Sequence, residues 1–137
     1  MSKEINISRN KTMLDIDFIH NYLSMESYWA KGRSREDVVK SIENSICFGV
    51  FNEEQSQIGF ARVITDGVVF AWIMDVFITD DYRGRGIAKK LIKQVVNVPE
   101  LKNVNGIGLR TNDAHGLYEK FGFKKIENSE TWMLKNN

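Results

Sequence analysis

The sequence is short of cysteine and proline, and each shortage excludes some architectures. A single cysteine, Cys47, allows no disulfide within the chain and no cysteine-based metal cage. Cys47 lies in the apolar run 46–51, so we expect it to be a buried core residue. The only proline, Pro99, is placed to end a helix, and the sequence contains no repeat, linker or low-complexity segment.

An excess of charge of one sign is also missing, because 19 lysines and arginines stand against 18 acidic residues, for a net charge of +1. This balance argues against a general nucleic-acid-binding protein, which usually carries a strong basic excess. No stretch is as long as a membrane span, and the first four residues carry no apolar signal core. We therefore expect a cytoplasmic protein with no nucleic-acid partner and no membrane contact.

What is present is the composition of a globular protein, with 137 residues of which 42% are hydrophobic and 27% charged. We expect one domain over residues 1–137. The periodicity predicts an α/β fold with the order β-α-α-β-β-β-α-β-α-β-β, a mixed central sheet of six or seven strands flanked by four helices. The predicted strands are 4–9, 46–51, 57–65, 68–78, 104–110, 123–126 and 131–134, and the predicted helices are 11–24, 35–44, 87–96 and 113–121.

Polar residues at the predicted helix starts support the two N-terminal helices. Asp15 or Thr12 is placed to cap the first helix. Ser34 is followed three residues later by Asp37, which resembles a capping box with aspartate in place of glutamate. The segment between these helices breaks the helical pattern, so we expect a loop there.

The stretch 74–96 has the pattern of a strand, a glycine-rich turn and a helix. The turn, RGRGIA at positions 83–88, contains small residues that let backbone N–H groups converge at the positive end of the helix. Such a turn suits a phosphate or pyrophosphate. A nucleotide P-loop is excluded because Ile87 and Ala88 stand where Lys and Ser or Thr are needed. A dinucleotide fingerprint requires a third glycine where this chain has Lys89.

Two segments together carry a family resemblance. The turn at 83–88 meets the pattern Arg/Gln-x-x-Gly-x-Gly/Ala between a strand and a helix. Residues 117–123, LYEKFGF, match a short helix that ends in Leu-Tyr-Glu-Lys-x-Gly-Phe. With these motifs in this order, the chain resembles the GNAT superfamily of acyl-CoA N-acyltransferases. The runs 23–34 and 113–118 resemble a subgroup of short, single-domain bacterial members whose substrates are mostly unassigned.

The resemblance implies a site for acetyl-CoA (coenzyme A) as co-substrate, with no metal. In the family, backbone amides of the turn hold the pyrophosphate of coenzyme A. The pantetheine arm pairs with the backbone of the preceding strand, where two strands splay apart. Lys89 either neutralises phosphate or is a solvated helix residue, and Thr111 or Asn112 is placed to hydrogen-bond the pantetheine or phosphate region. The cofactor-binding positions implied are Val76, Phe77, Ile78, Arg83, Gly84, Arg85, Gly86, Ile87, Ala88, Lys89, Thr111, Asn112 and Tyr118.

The resemblance also implies a catalytic acid. In the family, a tyrosine matching Tyr118 protonates the departing thiolate, and a phenol with a pKa of about 10 is neutral at pH 7. Asp75 is a lone acid in the apolar strand before the turn, where it either orients or deprotonates the amine or forms a structural ion pair. Alternation along the strand places Asp75 opposite to Trp72 and Met74, whose face carries the acidic base in many family members. His115 is either a general base or a solvated helix residue.

The acceptor side is expected in the two N-terminal helices and the loop between them. Tyr28, Trp29 and Arg33 are the candidate substrate-binding residues, and Trp29 serves equally well as a core aromatic. The implied reaction is direct transfer of an acetyl group from acetyl-CoA to a primary amine of a small molecule or peptide. The alternative is a catalytically weak acyl-CoA-binding sensor or partner protein. The acceptor amine, the general base and the assembly state stay open, with a homodimer as one option.

Overall fold

A mixed sheet of five strands, in the spatial order β1-β2-β3-β4-β5, organises the described chain. A computed structural model describes residues 4–137 and places the strands at Asn6–Ser8 (β1), Ile46–Phe51 (β2), Gln57–Thr65 (β3), Phe70–Ile78 (β4) and Gly106–Gly108 (β5). Strands β1 to β4 pair antiparallel, and β5 lies parallel to β4. The predicted lack of a signal core rests in part on residues 1–3, which lie outside the described residues.

Within residues 4–137, four α-helices accompany the sheet, as the periodicity predicts. They are α1 (Ile16–Asn21), α2 (Arg35–Glu43), α3 (Ile87–Val96) and α4 (His115–Glu119). Helix α1 continues into a π-helical turn at Tyr22–Glu26. The predicted first helix, 11–24, is interrupted, because Asn10 and Asp15 each accept a backbone N–H and so start separate helical turns. None of the helices in the described part of the chain is long and apolar enough to cross a membrane.

Side chains cap α1 and α2 at predicted positions. Asp15 Oδ1 accepts the Phe18 N–H at 3.1 Å, and Ser34 Oγ accepts the Asp37 N–H at 3.1 Å. These acceptors satisfy amide groups that have no partner inside their helices. They determine where the two N-terminal helices begin, and therefore where the loop 27–34 between them lies.

Both faces of the sheet are buried against helices. On one face, Leu91 and Val95 of α3 belong to the same apolar cluster as Val63 of β3. On the other face, Ile19 of α1 and Val38 of α2 pack in a second cluster. A sheet that is covered on both faces holds its strands rigidly, which supports a site built between strand ends.

A β-bulge interrupts the pairing of β4 with β3. Phe77 lies opposite Phe60 and Met74 lies opposite Arg62, so β4 has one residue more than β3 between these pairs. Asp75 lies in this bulge with a left-handed φ of +56°. The Asp75 carboxylate accepts a hydrogen bond from Arg62. Arg62 lies opposite Met74 in the β3–β4 pairing, so the side chains of Arg62 and Met74 are on the same face of the sheet. The predicted alternation, which places Asp75 on the opposite face, is therefore wrong, because it assumes an unbroken period of two.

The sheet has five strands rather than the predicted six or seven, because the described residues 123–126 and 131–134 do not form strands. Backbone hydrogen bonds in this region are local, as in the 3-10 helical turn Ser129–Thr131. Met133 is 95% exposed, so this short apolar segment has no buried face with which to align on a neighbouring strand. Strand β5 is also shorter than the predicted 104–110.

Candidate functional site

The candidate site is a cleft that opens where β4 and β5 separate. Their parallel pairing ends at Trp72 and Gly108, whereas β4 continues to Ile78. Beyond Trp72, the described chain places no strand on this edge of β4, so its backbone polar groups have no strand partner there. At the end of β4, the Ile78 carbonyl accepts a hydrogen bond from Arg83 Nε at 3.0 Å. The cleft has a volume of about 1000 Å³. Residues that line it include Tyr28, Trp29, Arg33, Asp75, Val76 and Tyr118.

The free edge of β4 contains the three positions predicted to pair with pantetheine. Val76 lines the cleft, whereas the side chains of Phe77 and Ile78 are buried in the core. Phe77 stacks on Tyr22 with ring centroids 3.9 Å apart. Core packing therefore anchors this part of the strand while its backbone stays at the edge, which is the arrangement that main-chain recognition of an extended ligand requires.

The glycine turn follows β4 through a 3-10 helical turn at Asp80–Tyr82 and leads into α3. Gly84 and Gly86 have φ angles of +76° and +78°, values that favour glycine. Ile87 is buried and anchors the start of α3, and Lys89 is exposed. From Gly84 to Lys89, no backbone N–H donates to an acceptor in the part of the chain that the structure describes. Free N–H groups at the start of a helix suit an anion.

The two arginines of the turn are engaged by the protein itself. Arg83 donates from Nη2 to the Tyr22 hydroxyl at 2.7 Å. Arg85 donates to the Asp81 carbonyl at 2.9 Å and lies over the Tyr82 ring, 4.9 Å from its centroid. Both side chains brace the turn, so the backbone N–H groups are its principal unengaged donors.

Asp75 is buried in the wall of the cleft, and both of its oxygens accept hydrogen bonds. Oδ2 accepts from Arg33 Nη1 at 2.7 Å and from Arg62 Nε at 2.9 Å, and Oδ1 accepts from Trp29 Nε1 at 3.0 Å. The Asp75 side chain is 1% exposed. A buried carboxylate is tolerated when donors and opposite charges satisfy it, as they do here. These contacts tie the bulge of β4 to β3 and to the N-terminal loop.

Arg62 completes this group and is not among the predicted site residues. It is buried on β3, where it also donates from Nη1 to Ser45 Oγ at 3.0 Å. The sequence contains a signal for it, since Arg62 is the one charged residue in the otherwise apolar and polar-neutral strand 57–65. A buried cation needs an anion beside it, and Asp75 on the next strand is the nearest acid along the chain that lies in an apolar run.

An aromatic pair joins the N-terminal loop to the segment before α4. The Tyr28 and Trp29 rings meet edge to face, with centroids 5.0 Å apart. The Tyr28 hydroxyl accepts the Asn112 N–H at 2.9 Å. Thr111 uses its hydroxyl locally and accepts the Ala114 N–H at 3.0 Å. The fold thus brings the predicted acceptor residues into one cleft with four of the predicted cofactor residues, Val76, Thr111, Asn112 and Tyr118. The other predicted cofactor positions, 77–78 and 83–89, are not among the lining residues of this cleft.

Tyr118 lines the cleft from α4. It is 7% exposed, and its ring packs edge-on against Phe123 with centroids 5.8 Å apart. Its hydroxyl has no hydrogen-bond partner among residues 4–137 and is not sealed from solvent. Burial, together with smaller effects of the nearby Tyr28 and Asp113, raises the pKa of Tyr118 to about 12. The phenol is therefore neutral at physiological pH and keeps its proton.

Other titratable groups lie outside the cleft or at its rim. His115 is exposed on α4, one turn before Tyr118, and does not line the cleft. Asp113 lines the cleft but is exposed, and no sequence pattern singles it out. Among the residues that the structure describes, no group of three or more His, Cys, Asp or Glu side chains is placed to hold a metal ion.

Comparison with known proteins agrees with this geometry. A family model described as an acetyltransferase (GNAT) domain matches residues 43–125, which span β2 to α4. The crystal structure of a candidate GNAT-family acetyltransferase from Xanthomonas campestris pv. campestris is similar with a TM-score of 0.94 and 37% identity, over 98% of this chain and 94% of that one. A candidate acetyltransferase of Gibberella zeae is 28% identical over 86% of this chain and 78% of its own length. An uncharacterised N-acetyltransferase of Gracilaria tenuistipitata var. liui is 29% identical over 77% of this chain and 68% of its own.

Proposed function

The chain belongs to the GNAT family of acetyltransferases, and on that basis we propose that it transfers an acetyl group from acetyl-CoA to a primary amine of a small molecule or peptide by direct attack. We also propose that residues 1–137 form one catalytic domain and that the enzyme acts in the cytoplasm. The observation that carries the proposed reaction is the unengaged hydroxyl of Tyr118 in the cleft where β4 and β5 separate.

The residues of this chain are suited to holding acetyl-CoA. The unpartnered N–H groups from Gly84 to Lys89 suit its pyrophosphate, and the free edge of β4 at 76–78 suits its pantetheine arm. A Cβ at Gly84 or Gly86 would meet no atom within 4 Å, so the space over the turn is open to a ligand. When bound, acetyl-CoA supplies an activated thioester carbonyl and a thiol leaving group.

Tyr118 serves as the general acid. It donates its O–H to the sulfur as the carbon–sulfur bond breaks and the new carbon–nitrogen bond forms. Because its pKa of about 12 lies above that of an ordinary thiol, about 8.5, the phenol acts first through a hydrogen bond to the negative charge that develops on sulfur. Tyr118 passes its proton to the sulfur and regains one from water in the cleft, so the proton that the sulfur gains balances the one that the attacking nitrogen loses to water.

Water in the cleft takes the proton of the attacking amine. Both oxygens of Asp75 are occupied by donors, and His115 lies outside the lining of the cleft, so neither side chain is proposed as the base. Asp75 is instead a positioning residue, because its carboxylate accepts hydrogen bonds from Trp29 and Arg33 of the loop 27–34. Holding the amine beside the thioester supplies much of the rate.

Acetyl-CoA binding and turnover test this function. Calorimetry measures the affinity for acetyl-CoA, and thiol release is followed over a panel of amines. Tyr118→Phe is expected to lower kcat about 100-fold, which is the usual cost of removing a general acid. The same variant should change the affinity for acetyl-CoA by less than about twofold, because the substitution removes only a hydroxyl group. Tight binding without thiol release on any amine would support an acyl-CoA sensor. A protein that does not bind acetyl-CoA would contradict both functions.

A further inference from the structure

We propose that the acceptor amine also carries an anionic group, a carboxylate or a phosphate, and that Arg33 binds this group. The inference rests on the proposed acetyl transfer and narrows its substrate class. It starts from the charges of the Asp75 cluster, which we define as Trp29, Arg33, Arg62 and Asp75.

The Asp75 cluster contains one positive charge in excess. The guanidinium groups of Arg33 and Arg62 share the single carboxylate of Asp75, through contacts of 2.7 and 2.9 Å. The remaining member, Trp29, donates a neutral N–H. The side chains of Asp75 and Arg62 are 1% and 6% exposed, so water reaches the excess charge and screens it mainly on the side that faces the cleft. A buried charge of this kind favours a counter-ion.

Arg33 is the member of the cluster that a ligand reaches. Its side chain is 22% exposed and lines the cleft. Its Nη1 is bonded to Asp75, whereas Nε and Nη2 donate to no acceptor within the described residues. These two N–H-bearing groups lie in the plane of the guanidinium and form a fork that matches two oxygens of a carboxylate or phosphate.

Other charges around the cleft do not cancel this excess. In the described chain, Arg110 and Asp113 are the other charged side chains of the lining; both are exposed, and their charges balance each other. The phosphates of acetyl-CoA are suited to the glycine turn, which follows the end of β4, whereas Asp75 lies within β4. An anionic group on the acceptor therefore supplies the missing counter-charge.

The aromatic residues beside Arg33 complete this description of the acceptor. Tyr28 and Trp29 line the same cleft and offer apolar surface next to the guanidinium. The acceptor class that matches is a small amine with an apolar skeleton and one acidic group. A polyamine would bring a second positive charge towards Arg33, so we expect it to be a poor substrate.

Acceptors that differ only in the anionic group test the proposal. The ω-amino acids from glycine to 6-aminohexanoate are compared with their amides, and 3-aminopropyl phosphate is compared with 3-aminopropanol. We expect the kcat/KM of the anionic compound to exceed that of its neutral partner by about 10- to 100-fold in at least one pair, as hydrogen bonds to a charged group allow. The pair that shows the effect distinguishes a carboxylate from a phosphate. 1,4-Diaminobutane should be acetylated more slowly than the preferred anion.

Variants of Arg33 test whether this residue reads the anion. Arg33→Gln is expected to lower the ratio of kcat/KM between the anionic and the neutral compound of the preferred pair to about one, chiefly by raising KM for the anionic compound. Arg33→Lys keeps the charge without the fork, and we expect an intermediate ratio. Arg35→Gln is the matched control, because Arg35 is 56% exposed, pairs with Asp17 and lies outside the cleft. Thermal unfolding confirms that each variant is folded.

Failure of this inference differs from failure of the proposed function. If neutral or cationic amines are acetylated as well as their anionic partners, the acceptor class is wrong and acetyl transfer stands. If no amine releases thiol, calorimetry with the same pairs and the CoA-saturated protein decides. A preference for the anionic compound that Arg33→Gln removes supports the anion site, and equal or undetectable binding of both compounds overturns it.

Discussion

Asp75 combines an unusual backbone conformation with a buried charge. Its φ of +56° is uncommon for a residue with a Cβ, although aspartate and asparagine adopt it more readily than most. The β-bulge holds this conformation, while two guanidinium groups and an indole hold the carboxylate. Such strain persists where surrounding contacts over-determine the backbone, and it is concentrated beside functional sites. The location of Asp75 in the wall of the cleft agrees with that tendency.

Removing the charge of Asp75 alone tests the cluster. Asp75→Asn keeps the shape of the side chain and its tolerance of positive φ, but it leaves Arg33 and Arg62 without their counter-charge. We expect the free energy of unfolding to fall by about 3 kcal/mol, as for a broken buried ion pair, measured by urea denaturation. The control, Asp17→Asn, removes an exposed contact with Arg35 and should cost less than about 1 kcal/mol. Equal losses for the two variants would show that the cluster does not stabilise the fold.

At the scale of the element, the glycine turn and α3 form one support. Ile87, Leu91 and Val95 are buried and anchor the helix on the sheet. Arg83 and Arg85 brace the turn through hydrogen bonds to the Tyr22 hydroxyl and the Asp81 carbonyl. The free N–H groups are therefore held by a packed helix rather than by a mobile loop tip, which is the arrangement that a pre-organised anion site needs.

Gly86→Ala tests the conformation of this turn. A Cβ at Gly86 meets no atom within 4 Å, so any effect comes from the φ of +78° and not from a clash. We expect the free energy of unfolding to fall by about 1 kcal/mol, and acetyl-CoA affinity to fall because the turn shifts to relieve the strain. Gly116→Ala in α4 is the control, since its Cβ also meets no atom and its φ is not positive. Urea denaturation and calorimetry should show no loss for Gly116→Ala; matching losses would reject the role of φ.

For the whole molecule, a sheet covered on both faces leaves the separated β4–β5 edge as its open site. The covered interior also contains ionisable groups. Burial raises the pKa of the Cys47 thiol from 9.0 to about 11. It raises the pKa of the Tyr118 phenol from 10.0 to about 12. In both residues, burial favours the neutral form over the anion.

These groups predict a loss of stability at alkaline pH. Between the unfolded and folded pKa values, the unfolded chain binds fewer protons than the folded protein, so the free energy of unfolding falls as pH rises. The contribution of Cys47 to the free energy of unfolding is complete below pH 9.0 and is lost as pH rises through about 11. The contribution of Tyr118 is complete below pH 10.0 and is lost as pH rises through about 12. Each contribution is of order 2 kcal/mol. Urea denaturation across this range measures the fall, and Tyr118→Phe should lessen it above pH 10.0; a flat profile would contradict the prediction.

The sequence by itself determined the local elements that surround the site. Ser34 caps α2, a glycine-rich turn joins β4 to α3, and apolar spacing places one side of α3 against the sheet. Caps, turns and periodic faces depend on residues close together in the chain, so a pattern in the sequence is sufficient to predict them. The candidate role of Tyr118 came from a resemblance between motifs, and it stays a proposal.

Only the tertiary structure decided which distant residues meet. Trp29 lies 46 residues from Asp75 in the chain, and Arg33 lies 42 residues from it, so no local pattern links them. The bulge changes the face to which alternation assigns Asp75, and Arg62 enters the site for that reason. The C-terminal segments 123–126 and 131–134 have strand-like patterns, but they pair with no strand in the described chain. A hydrophobic pattern predicts which side chains leave water, whereas packing of the whole chain decides which neighbours they contact.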